Sequence, residues 1–66
     1  MTWNYRIVSK DESFAIHEAF YDDDGKVETI TQDPCSPSGE TISELKEDLK
    51  YFEKSLSLPI LNYTDF

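Results

Sequence analysis

The sequence predicts an α+β domain in which a three-stranded antiparallel β-meander packs on one C-terminal α-helix, in the order β-β-β-α. Three observations predict it. Apolar residues alternate with polar ones through the first third of the chain. An Asp-rich turn closed by Gly25 leads into a β-branched run. A capping box then opens a segment whose apolar residues recur every three or four positions.

Trp3, Tyr5 and Ile7 alternate with Asn4 and Arg6, the period-two pattern of a half-buried strand from Trp3 to Val8. Ser9 to Ser13 is polar and short enough for a hairpin loop. From Phe14 to Tyr21 a second strand puts Phe14, Ile16, Glu18 and Phe20 on one face and Ala15, His17, Ala19 and Tyr21 on the other, and neither face is plainly polar. Asp22-Asp23-Asp24-Gly25 is the strongest turn signal, with Gly25 supplying the positive φ of a bulged hairpin. Lys26 to Thr31 is the third strand. Asp33 to Gly39, with two prolines and a glycine, ends the sheet and carries the chain across it.

Thr41-Ile42-Ser43-Glu44 fits a capping box: the Thr41 hydroxyl accepts from the amide of Glu44, and the Glu44 carboxylate reaches back to the amide of Thr41. Behind it Ile42, Leu45, Leu49, Phe52 and Leu56 draw one apolar stripe down about four turns. Pro59 stops the helix, and Ile60 to Phe66 lies back on the domain, where a short C-terminal edge strand can form. One stripe covers one sheet face. The opposite face, with apolar residues of its own, is expected to remain available to a second copy or another protein.

Sixty-six residues make a single domain, 1–66, that buries only about 60% of the surface its unfolded chain exposes. One tryptophan, four tyrosines and four phenylalanines are enough to pack a core. A lone Cys35 cannot close an intrachain disulfide, and with one histidine it cannot complete a zinc site. Reinforcement is therefore expected from self-association or a partner. Neither a leader peptide nor an apolar run long enough for a bilayer is seen, so a cytoplasmic protein with no membrane attachment is expected. The formal charge of −8 repels phosphate backbones and argues against direct nucleic-acid binding.

Several segments together resemble a family of short uncharacterised bacterial proteins: Trp3-Asn4-Tyr5-Arg6, Ile16-His17-Glu18, Tyr21-Asp22 with Asp24-Gly25, and Ser36-Pro37 with Gly39-Glu40-Thr41. That family has no assigned activity and implies no chemistry. In architecture the chain also resembles the HicB-like antitoxin domain, where three strands precede a helix opened by a turn like Gly39-Glu40-Thr41. This second likeness implies binding to a basic, toxin-like protein.

The three aspartates before Gly25 do not make a calcium loop. With Gly25 at the sixth position of such a loop, Phe20 and Thr31 stand where the first and twelfth positions need carboxylates. No cofactor or metal is expected. His17 and Glu18 alternate to opposite faces, and Cys35 has no cationic neighbour in sequence to activate it, so a His17–Cys35 hydrolase or redox centre is the weakest of three readings. Lys46, Lys50 and Lys54 line a solvated side of the helix next to Glu47 and Glu53. His17, Tyr21 and Tyr51 are the candidate interaction residues, Tyr51 because it stands away from the apolar stripe. The leading expectation is a non-catalytic protein-interaction module, self-associating as a homodimer or binding another protein with a basic surface. The alternative is an acidic mimic of nucleic acid that inhibits a DNA- or RNA-handling enzyme.

Overall fold

The computed structural model describes residues 2–66; Met1, the first residue of the segment read for a leader, lies outside them. Strand β1 runs Thr2–Lys10, β2 Ser13–Tyr21 and β3 Val27–Ile30, and helix α1 runs Ile42–Lys54. A 3-10 turn at Ser55–Ser57, a two-residue strand β4 at Leu61–Asn62 and a second 3-10 turn at Tyr63–Asp65 complete the chain. The sheet order is β3-β2-β1-β4, with β1 parallel to β4 and antiparallel to β2, and β2 antiparallel to β3. The predicted β-β-β-α architecture is present, together with its short edge strand.

The first hairpin is tighter than its polar residues suggested. Ser9, Lys10 and Ser13 continue the ladder, pairing Ser9 with Phe14 and Lys10 with Ser13. Only Asp11 and Glu12 turn, at φ of 50° and 66°. Two successive left-handed residues match the twist of the flanking strands, which is why a two-residue loop takes this form. Neither residue is glycine, so each carries the steric cost of that conformation.

At the second hairpin, Asp22 Oδ1 accepts from the amides of Asp24 (2.9 Å) and Lys26 (3.0 Å), and Gly25 takes the positive φ, 79°. Tyr21 pairs with Val27 and Phe20 with Thr29, so Glu28 is the extra residue of a bulge. Beyond β3 the chain keeps to the outer edge of β2. The amide of Thr31 donates to Glu18 and that of Cys35 to Ile16, at 3.0 and 2.8 Å.

Thr41 Oγ1 accepts from the Glu44 amide at 3.1 Å, as the capping box predicts. The Glu44 carboxylate reaches one residue further than predicted and accepts from the amide of Glu40 at 2.9 Å. Gly39 passes so close to this turn that a Cβ there would lie 2.6 Å from the Leu45 nitrogen. Only glycine fits.

The register places Trp3, Tyr5 and Ile7 on the same face as Phe14, Ile16, Glu18 and Phe20, and α1 docks there. Phe52 is buried against Tyr5 with ring centroids 4.2 Å apart. Leu45 is half-buried, while Ile42, Leu49 and Leu56 keep 68%, 47% and 67% of their surface exposed. The expectation of a fully sealed stripe is therefore corrected. The cause lies on the neighbouring line of the helix. Asp48 turns inward to accept from Tyr5, and buried Ser55 donates to the Phe52 carbonyl at 2.6 Å, so the helix is rolled toward Asp48 and away from Leu49.

The second correction concerns the opposite sheet face, which is not left bare. Val8, Ala19, His17 and Arg6, all on that face, are buried. The tail comes round the β1 edge and lies over it. The Arg6 guanidinium donates to the Pro59 carbonyl at 2.8 Å. The Tyr63 ring sits 6.0 Å from the His17 ring and 4.3 Å from the Lys10 ammonium, and its hydroxyl donates to the Gln32 carbonyl at 3.3 Å. A nearly isolated β-meander this small gains more from covering Val8 and Ala19 with its own chain than from leaving them in water.

Glu12→Gly removes a left-handed strain from the first turn without touching the core. It is expected to raise the unfolding free energy by about 1 kcal/mol, read as a higher urea midpoint at unchanged slope.

Candidate functional site

Trp3 and Tyr5 are two residues apart on β1 and so project from one face, their rings edge to face with centroids 5.3 Å apart. Helix α1 crosses above Tyr5. Tyr51 immediately precedes Phe52, so it is turned about 100° round the helix from the buried ring. That rotation brings Tyr51 to the side of the helix facing Trp3. Between them lies a cleft of about 660 Å³ whose walls include Trp3, Tyr5, Tyr51 and Leu58, with Lys54 at the rim 5.3 Å from the Tyr51 ring. Trp3 and Tyr51 are each about half exposed, a costly arrangement for large aromatic rings in water.

The cleft also faces a strand edge. β4 pairs only with Val8 and Ser9; beside the earlier β1 residues run the 3-10 turn Ser55–Ser57 and Pro59, whose carbonyl accepts from Arg6. Trp3, Asn4 and Tyr5 line the cleft from β1, and Ser55, Ser57 and Leu58 line it from the turn that follows the helix, so the cleft lies between that edge and that turn.

A second recess of about 440 Å³ adjoins the first and shares Tyr5 and Tyr51 with it. Its other walls carry Glu40, Glu44, Glu47 and Asp48. The Glu44 carboxylate is held by the Glu40 amide, and Asp48 by the Tyr5 hydroxyl at 2.9 Å and the Ser38 amide at 3.0 Å. Among the described residues no lysine or arginine forms a salt bridge with these carboxylates. The two recesses make one groove, aromatic at one end and anionic at the other.

Tyr5 is the hinge between them. Burial, followed by its hydrogen bond to Asp48 and the charge of that carboxylate, pushes the phenol well above its ordinary ionisation range. The neutral hydroxyl is thereby kept as a donor to Asp48. Strand, helix and connector meet at this one carboxylate.

Of the three residues expected to form an interaction surface, only Tyr51 stands in the groove. His17 is 3% exposed; its Nδ1–H donates to the Thr31 carbonyl at 2.9 Å beneath Tyr63. Tyr21 is half-buried, and its hydroxyl accepts from Arg6 and donates to Asn4 Oδ1, both at 2.8 Å. The tail explains the burial of His17, whose ring lies beneath Tyr63; Tyr21 is held by Arg6, which also donates to the Pro59 carbonyl. The Cys35 amide donates to the Ile16 carbonyl at 2.8 Å, which places Cys35 beside the outer edge of β2. Among the described residues no group of three or more His, Cys, Asp or Glu side chains is placed to hold a metal ion. Trp3, Leu58 and Glu47 are groove residues that sequence reasoning did not single out. Trp3 was assigned to a half-buried strand face, and only the position of the helix leaves it uncovered.

Comparison with protein-family models, curated proteins and solved structures finds no match to this chain. The geometry of the groove therefore carries the functional reading.

The raised Tyr5 ionisation couples stability to alkaline pH. A proton held more tightly by the folded than by the unfolded chain stabilises fully below the ordinary phenol value, about pH 10, and that contribution is lost as pH rises above it. Urea denaturation should show stability falling above about pH 10, and Tyr5→Phe should lose this part of the decline while costing about 1.5 kcal/mol at neutral pH. Four phenolates appearing together at the ordinary value in the folded protein would contradict it.

Proposed function

We propose that this protein is a non-catalytic protein-interaction module whose groove receives an extended, basic segment of another protein. The observation that carries this reading is the fusion of an exposed aromatic cleft with an anionic recess through Tyr5 and Tyr51. Each half selects a different group. Trp3, Tyr51 and Leu58 offer apolar and π surface to one anchoring side chain, as aromatic residues do at the centres of binding interfaces. Glu40, Glu44, Glu47 and Asp48 offer negative charge to a lysine or arginine a short distance along the segment, with Tyr51 available for a cation–π contact.

The length of the groove, from Trp3 past Tyr51 to Glu40, suits an extended conformation of the bound chain. The overall charge of −8 adds long-range attraction, which speeds encounter with a basic partner and suppresses acidic ones. A basic, toxin-like protein, the partner implied by the architectural likeness to HicB-like antitoxins, has the required sign.

Trp3 is the only tryptophan in the chain, so its fluorescence reports on the cleft directly. Titration with a peptide joining a leucine to two arginines should change Trp3 emission, with affinity falling as salt rises; the same peptide with glutamates in place of arginines should not bind. Tyr51→Ala is expected to weaken binding about tenfold or more, and Glu44→Lys with Glu47→Lys to weaken the salt dependence. Equal response to the basic and acidic peptides, or none to either, rejects the proposal.

A further inference from the structure

The exposed ridge on α1 lies outside the groove. Ile42, Leu49 and Leu56 are spaced by seven residues, so they fall on one line of the helix and of the 3-10 turn that extends it. Leu45 and Phe52, the partners in a 3-4 repeat, are turned toward the chain's own sheet, which leaves this line about half exposed or more at each residue. Tyr51 marks the side of the helix turned toward Trp3, so Leu49 faces the other end of the strands, where Phe14 is also exposed.

We infer that this ridge is the two-fold contact of a homodimer in which two α1 helices pack antiparallel about Leu49. The ridge is self-complementary in that orientation. Leu49 meets Leu49 of the second copy, and Ile42, seven residues before it, meets Leu56, seven after. The flanking charges match as well. Lys46 lies three residues before Leu49 and Glu53 four after, so antiparallel pairing sets Lys46 of each copy beside Glu53 of the other. A two-fold axis makes every such contact twice. Both residues lie on the same flank of the ridge, and parallel pairing carries that flank to opposite sides of the contact, so the two charges meet only in the antiparallel arrangement.

This contact uses a surface separate from the peptide groove, so either can fail without the other. Sedimentation equilibrium of the full chain at physiological salt should give a mass approaching twice the monomer at high micromolar concentration. Leu49→Glu should give a monomer with an unchanged far-ultraviolet circular dichroism spectrum, since Leu49 is already half exposed. Lys46→Glu should weaken the dimer about tenfold, and adding Glu53→Lys should restore it. These surface changes keep the fold, so the charge-swap pair decides the matter even if Leu49→Glu proves unstable. A strict monomer at every concentration, a dimer that survives Leu49→Glu, or a double charge swap that fails to restore association overturns the inference.

Discussion

The position of the helix depends on one side chain of the sheet. Tyr5 gives its ring to Phe52 and its hydroxyl to Asp48, whose second oxygen takes the Ser38 amide. Three parts of the chain with no local reason to meet are joined there. A phenol suits the task because its body is apolar and its tip is a donor, so it can fill a packing site and satisfy a half-buried carboxylate together. The helix roll that leaves Leu49 exposed, and the angle that opens the cleft between Tyr51 and Trp3, both follow from holding Asp48 over Tyr5.

The two sheet faces solve different problems. On the helix side, thirteen residues of α1 cannot shield two nine-residue strands, so Trp3 and Phe14 at opposite ends remain exposed. On the other side, a tail with little regular structure covers small and polar residues, and hydrogen bonds replace apolar area. Arg6 shows the cost of that solution. The residue is 8% exposed and its guanidinium is bonded to Tyr21 and to Pro59, yet its Nε has no partner among the described residues. A buried cation satisfied by neutral oxygens ties the tail to β1, because water is no longer available to replace them.

The groove and the ridge arise from the same shortage of covering chain. In a 66-residue domain the core is too small to absorb every large apolar side chain, and the remainder is distributed on either side of α1. On one side the remainder is aromatic and adjoins carboxylates, suited to a basic segment. On the other it is aliphatic and flanked by one lysine and one glutamate, suited to a copy of itself.

Local order determined the elements. Alternation along Trp3 to Val8 and Phe14 to Tyr21, the aspartate turn ending at Gly25, and the Thr41 cap with its apolar repeat all act over a few residues, and each of these features is present in the structure. The candidate site was legible only in part, through Tyr51, because its position off the apolar stripe is a matter of helical period. What the tertiary structure alone decided is the roll of that helix, the covering of the second face by the tail, and the meeting of Trp3 with Tyr51 across 48 positions of sequence. Those outcomes depend on hydrogen bonds such as Tyr5 to Asp48 and Arg6 to Pro59, between residues 43 and 53 positions apart. No periodicity encodes such bonds, since their partners are chosen by the shape of the folded chain and not by their neighbours along it.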